Sequence, residues 1–87
     1  MRRMLGWIAR EDRERVSLSG SALLPDGRTI SVEVTNISSD GCDLNSDETL
    51  RIGDAVWLTT SKHTNVAATI RWSLHGRAGL RFLNGQW

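Results

Sequence analysis

The strict alternation of apolar and polar side chains from Val16 onward constrains the fold of this chain most. In the first run Val16, Leu18 and Ala22 fall on one side, and serines occupy the positions between them. A period of two is the repeat of a half-buried β-strand. The next run follows the turn-forming stretch Pro25-Asp26-Gly27-Arg28, in which proline presets φ and glycine accepts a positive φ. The sequence therefore predicts a β-hairpin at the start of a sheet.

The same pattern continues to Phe82, with turn residues about every ten positions. The predicted strands cover residues 16–24, 29–35, 41–44, 55–59, 66–72 and 78–82. Six short strands favour an all-β fold, a small six-stranded antiparallel barrel or a sandwich, and closing the sheet removes its exposed edges. The predicted core consists of Val16, Leu18, Leu24, Ile30, Val32, Val34, Leu44, Val56, Leu58, Val66, Ile70, Leu80 and Phe82.

Charge divides the chain into two parts. Residues 1–15 hold five arginines against three acidic residues, whereas the rest holds six basic and seven acidic residues. We expect a flexible arginine-rich arm over residues 1–15 and one barrel domain over residues 16–87. The formal net charge of only +1 argues against general DNA or RNA binding, which needs a basic excess.

The single cysteine and the distribution of apolar residues indicate a cytoplasmic protein. Cys42 has no partner for an intrachain disulfide, which suits a reducing compartment, and a free cysteine is most often a small core residue. Met4, Leu5, Trp7 and Ile8 form too short an apolar run for a signal peptide, and Arg10 follows closely. No apolar run approaches membrane-spanning length, so membrane insertion is not expected.

The hexapeptide Asn36-Ile37-Ser38-Ser39-Asp40-Gly41 lies between two predicted strands and is the strongest candidate for a binding site. Its side chains are small and polar, and its glycine allows a close approach to the backbone. Arginine grips phosphate with paired hydrogen bonds and stacks on bases. Together with the upstream arginines, the turn suggests a pocket for an anionic, guanine-bearing small molecule. The alternative is an ordinary turn whose Asn36 and Ser38 bond their own backbone, beside a solvated, salt-bridged arm.

Catalytic and metal-binding patterns are missing from the sequence. It contains no nucleophile–His–acid order, glycine-rich phosphate loop or paired-carboxylate arrangement. His63 and His75 lie in predicted turns without cysteine or acidic residues at ligand spacing. We therefore expect neither an enzyme, nor a cofactor, nor a metal site.

Four features, in this order, resemble the PilZ domain, the bacterial receptor module for cyclic di-GMP. An arginine segment enters the first strand, and an Asn-x-Ser-x-x-Gly turn follows the second. A Leu-x-x-Gly-Asp-x-Val step runs from Leu50 to Val56, and an Ile-Arg-Trp…Gly-Leu-Arg-Phe pair runs from Ile70 to Phe82. The resemblance covers roughly Arg10 to Phe82. It implies a six-stranded barrel of the split-barrel type that binds cyclic di-GMP as a small signalling receptor or adaptor.

The resemblance also implies which residues hold the ligand. The implied ligand-binding residues are Arg10, Arg13, Arg15, Asn36, Ser38, Gly41 and Trp72. The arginines would close over the phosphates and guanines, and the indole of Trp72 would stack on a guanine. The implied partners are cyclic di-GMP and an unidentified protein.

The arginine segment departs from the family pattern Arg-x-x-x-Arg. Arg15 fits the second position, but Glu11 stands at the first, and Arg10 is five residues away from Arg15. A flexible arm could bring Arg10 into that role at little cost. The departure keeps a second hypothesis open, a PilZ-like protein–protein interaction adaptor that does not bind nucleotide.

Overall fold

A computed structural model describes residues 14–83, which form an all-β structure of six strands. The strands are β1 (Glu14–Leu23), β2 (Thr29–Ile37), β3 (Gly41–Ser46), β4 (Ala55–Thr60), β5 (Val66–Leu74) and β6 (Arg77–Phe82). They close into a barrel in the order β1-β2-β3-β6-β5-β4, and every neighbouring pair is antiparallel. The predicted six-stranded antiparallel barrel is therefore confirmed. Because β1 begins at Glu14, Arg15 lies within the first strand.

Short turns account for the antiparallel neighbours. His75 and Gly76, between β5 and β6, both have positive φ (49° and 79°), as the tightest hairpin connections require. Between β1 and β2 the chain reverses at Gly27, which has a φ of 94°, and the Leu24 N–H donates to the Arg28 carbonyl at 2.8 Å. The barrel closes where Gly20–Leu23 of β1 pair with Trp57–Thr60 of β4.

Arg28 fastens this turn to the following loop at one end of the barrel. Its guanidinium contacts Asp26 at 2.9 Å and Glu48 at 2.8 Å. The pKa of the Asp26 carboxyl is lowered, first by the backbone N–H of Arg28 and then by its guanidinium. These groups are solvent-exposed, so they orient the turn more than they stabilise the fold.

The barrel interior is apolar. Nine of the predicted core residues are buried, namely Leu24, Val32, Val34, Leu44, Val56, Leu58, Ile70, Leu80 and Phe82. The other four, Val16, Leu18, Ile30 and Val66, are partly buried and pack against them. Five further hydrophobic residues that the prediction did not include in the core are also buried: Ala22, Ile37, Leu50, Ala68 and Ala78. The prediction that Cys42 is a small core residue is confirmed.

Three β-bulges interrupt the regular pairing at the same level of the barrel. The register shifts between Arg15 and Leu18 in β1, between Val34 and Asn36 in β2, and between Ile70 and Trp72 in β5. An inserted residue reverses the inward and outward sense of the positions that follow it. The bulges therefore decide which side chains of this region face outward. Among residues 14–83 no helix has the length and apolarity that crossing a membrane requires.

Candidate functional site

A line of paired residues crosses five of the six strands. Arg15 pairs with Asn36, Asn36 with Asp43, Asp43 with Gly79, and Gly79 with Trp72. We call these five residues the transverse row. Four strand spacings of ~4.8 Å give the row a length of roughly 19 Å along the sheet. Three residues that the sequence analysis placed in a ligand site, Arg15, Asn36 and Trp72, thus lie on one line.

The bulges turn two of these side chains outward. In β2 the alternation that buries Val32 and Val34 would also carry Asn36 to the core side, but the register shift after Val34 buries Ile37 instead. In β5 the shift after Ile70 leaves both Arg71 and Trp72 on the exposed surface. β-bulges often re-aim side chains next to binding sites.

Trp72 lies across β6 at a position where only glycine leaves room. A Cβ atom on Gly79 would overlap the indole Nε1 and lie 2.6 Å from Cδ1. Gly79 is itself buried beneath the ring, whereas Trp72 remains 40% exposed. The indole is therefore held against the strand with part of its surface open to solvent, as a stacking platform needs.

Gly79→Ala is expected to push the indole off β6, because the backbone fixes the new methyl group and only the Trp72 side chain can move away from it. The Nε1–H resonance of Trp72 should therefore shift in a ¹⁵N–¹H spectrum. Ser31→Ala, at an exposed position of β2 that does not line the hollow, serves as the control. An unchanged Trp72 resonance in Gly79→Ala would contradict this packing.

A hollow of about 470 Å³ lies beside the row, between the β2–β3 turn and strands β5 and β6. Its lining residues are Ser38, Asp40, Gly41, Asp43, Arg71, Trp72, Gly79, Leu80 and Arg81. The volume is in the range of small-molecule sites, which are usually ~300–1,000 Å³. The hollow is the candidate ligand site.

The β2–β3 turn forms one wall of the hollow and is held by its own hydrogen bonds. The Ser38 N–H donates to the Gly41 carbonyl at 2.8 Å, and the Ser38 hydroxyl accepts the Asp40 N–H at 3.2 Å. A Cβ on Gly41 would overlap the Leu80 carbonyl of β6. Gly41 thus allows β3 and β6 to approach closely, and this requirement exists without any ligand.

Charges of both signs face the hollow. The Asn36 amide donates to the Asp43 carboxylate at 3.1 Å, and Asp40 stands on the adjacent turn. Arg71 and Arg81 supply guanidinium groups from β5 and β6, and neither forms an ion pair with another residue of the range 14–83. The site therefore offers fixed hydrogen-bond acceptors and two arginines that can receive an anion.

The structure brings together most of the predicted site residues that it describes. Ser38, Gly41 and Trp72 line the hollow, Asn36 borders it through Asp43, and Arg15 lies one strand farther, opposite Asn36. Arg10 and Arg13 lie outside the described residues.

Sequence reasoning did not select Arg71, Gly79 or Arg81 as site residues. A glycine inside a strand often marks a close approach, so Gly79 carried a usable signal. Alternation with buried Ile70 directs Arg71 outward, but only the bulge brings Trp72 to the same surface, so no local signal linked Arg71 to the site.

The described residues show no metal centre. Residues 14–83 contain no group of three or more His, Cys, Asp or Glu side chains that could hold a metal ion.

Comparison with known families identifies the barrel. Curated proteins yield no match to this sequence. A family profile described as the PilZ domain matches residues 9–86, essentially the whole chain. PilZ domains are generally receptor modules for cyclic di-GMP and are not a catalytic family. The closed barrel, the Asn-x-Ser-x-x-Gly turn and this match together show that the chain belongs to the PilZ domain family.

Proposed function

We propose that this protein binds cyclic di-GMP in the hollow beside the transverse row and acts as a small cytoplasmic receptor or adaptor. The single observation that carries the proposal is the bulged geometry of the site. It turns Asn36 and Trp72 outward on the same line as Arg15, next to the turn that bears Ser38 and Gly41.

The phosphates of the ligand need cationic donors. Arg71 and Arg81 face the hollow, and Arg15 stands at the far end of the row. Guanidinium groups bind phosphate oxygens through paired, charge-assisted hydrogen bonds. Arg10 and Arg13 complete the cationic set in this proposal, as the family resemblance implies.

The guanines need a stacking surface and acceptors for their amino groups. The exposed part of the Trp72 indole supplies the surface, since base–aromatic stacking contributes ~1–3 kcal/mol per base. The carboxylates of Asp40 and Asp43 can accept hydrogen bonds from the guanine N2 amino group, and Asn36 can pair with a base edge. The mixture of acidic and basic groups therefore favours a ligand with both phosphates and guanines over a simple polyanion.

Ser38→Ala is expected to weaken cyclic di-GMP binding about 2–10-fold, which corresponds to one hydrogen bond of ~0.5–1.5 kcal/mol. Loss of stability should be small, because the main backbone bond of the turn, from Ser38 N–H to the Gly41 carbonyl, remains. Calorimetric binding and thermal melting of the same variant measure the two effects. Ser61→Ala, in the exposed β4–β5 loop, is the matched control. Equal losses of affinity and stability would mean that Ser38 is only structural.

A titration of ¹⁵N-labelled protein with cyclic di-GMP tests where the ligand binds. We expect the largest chemical-shift changes at the backbone amides of Asn36, Asp43 and Gly79 and at the Trp72 indole N–H. Changes confined to another face of the barrel would refute the proposed site.

The second candidate function is a protein–protein interaction adaptor that does not bind nucleotide. It is favoured by Glu11 at the first position of the arginine pattern and by the two carboxylates that line the hollow. Like charges oppose a dianionic ligand unless arginines outweigh them. A spectrum that does not change at high cyclic di-GMP concentration would favour this function over the first.

A further inference from the structure

Asp43 occupies a particular place in the transverse row. It lies on β3 between the buried residues Cys42 and Leu44, so its side chain points away from the core, and it lines the hollow. Its pairing partner on β6 is Gly79, the residue beneath the Trp72 indole. Because adjacent strands are only ~4.8 Å apart, a flat base that stacks on this indole can present its edge to the Asp43 carboxylate.

Asn36 orients this carboxylate. Its amide nitrogen donates to Asp43 Oδ2 at 3.1 Å, and both side chains are half-buried. An ionised carboxylate only accepts hydrogen bonds, and each of its oxygens has more than one acceptor site. The bond from Asn36 is therefore compatible with a second role for the carboxylate, the acceptance of two parallel N–H groups from a ligand.

The Watson–Crick edge of guanine suits a carboxylate, and that of adenine does not. Guanine presents two adjacent donors there, N1–H and N2–H, which a carboxylate accepts as a pair, as it accepts two N–H groups of arginine. Adenine presents the N1 lone pair beside a single amino group, so its N1 would face a carboxylate oxygen. An unfavourable contact of this kind excludes the wrong ligand as effectively as a favourable one selects the right one.

The arginines of the hollow lie in a different direction from the indole. Arg81 stands two residues farther along β6 than Gly79, or about 7 Å, whereas Asp43 stands beside Gly79 on the neighbouring strand. A phosphate on Arg81 and a base edge at Asp43 are therefore compatible in one ligand. Given cyclic di-GMP as the ligand, as proposed above, we propose that Asp43, positioned by Asn36, selects guanine over adenine by accepting N1–H and N2–H of one guanine.

The inosine analogue cyclic di-IMP tests this contact, because it lacks only the N2 amino groups of cyclic di-GMP. Calorimetry of the parent chain should show at least about tenfold weaker binding of cyclic di-IMP, the loss expected for one hydrogen bond to a charged group. In Asp43→Asn the ratio of the two affinities should fall to about twofold or less, because the new amide turns an N–H group of its own toward the guanine edge. A general loss of stability, or the removed charge, would affect both ligands alike.

Asp40→Asn is the matched control. Asp40 also lines the hollow and carries the same charge, but it lies exposed on the β2–β3 turn, outside the transverse row. Its substitution should leave the ratio at the parent value. Equal affinities of the parent chain for the two ligands, or a ratio that Asp43→Asn does not reduce, would overturn the proposal while leaving the receptor function intact. Failure of the parent chain to bind either ligand would refute the receptor function and this selection with it.

A spectrum of the parent complex gives a second test that needs no variant. A hydrogen bond to Asp43 should protect the guanine N1–H from exchange with water, so its imino resonance should be observed with a cross-peak to the Asp43 β-protons. An imino resonance without that cross-peak, or no imino resonance in a saturated complex, would overturn the proposal.

Discussion

Leu58→Ala is expected to lower the free energy of unfolding by about 2–5 kcal/mol, the usual cost of emptying a buried leucine site. Leu58 lies on β4 at 0% exposure and is among the largest fully buried side chains of the core. A domain this small has little stability in reserve, and each kcal/mol corresponds to about 4–8 °C in melting temperature. Urea unfolding of the variant, followed by circular dichroism, measures the loss.

The same chemical change on the surface provides the control. Leu74 is 60% exposed at the end of β5, so Leu74→Ala should change the stability by no more than about 0.5 kcal/mol. Similar losses for the two variants would show that the described packing around Leu58 is incorrect.

Removing Arg15 and Arg81 together is expected to weaken cyclic di-GMP binding at least about 100-fold. Each charge-assisted contact contributes roughly 1.5–3 kcal/mol, so each single substitution by alanine should cost at least about tenfold. Arg81 lines the hollow and Arg15 lies at the far end of the transverse row, and such separated sites usually contribute additively. Titration calorimetry of both single variants and the double variant measures the three affinities.

Arg77→Ala is the matched control for this experiment. Arg77 is an exposed arginine on the same strand as Arg81, but it pairs with Asn45 and Leu74 at the opposite end of β6 and does not line the hollow. Its loss removes the same charge and should change the affinity less than about twofold, because distant surface charges are screened. A double variant that binds as tightly as the parent chain would remove both arginines from the proposed mechanism.

The sequence predicts the barrel well because its two signals are local. Alternation identifies each strand, and glycines such as Gly27 and Gly76 mark the reversals. Both glycines have positive φ in the structure. All six predicted strands overlap the observed ones. The predicted core did not include Leu50, because it is a single leucine in a loop, where no periodicity indicates the direction of its side chain.

The site is harder to predict, because β-bulges are invisible to a period-two pattern. If the alternation continued past Val34, Asn36 would face the core and Ile37 would face outward. In the structure Ile37 is buried instead. The register shift after Ile70 brings Trp72 to the surface beside Arg71 in the same way, although alternation would place Trp72 inside. A bulge depends on the pairing with a neighbouring strand, which is a tertiary property.

Isothermal titration of the purified protein with cyclic di-GMP tests the central claim most directly. GTP and a linear diguanylate dinucleotide serve as controls for charge and base. The proposed receptor function predicts saturable binding at micromolar concentration or tighter, about −8 kcal/mol or better, with clear selectivity over both controls. No heat of binding, together with no shift of the melting temperature at high ligand concentration, would contradict it and would favour the interaction adaptor.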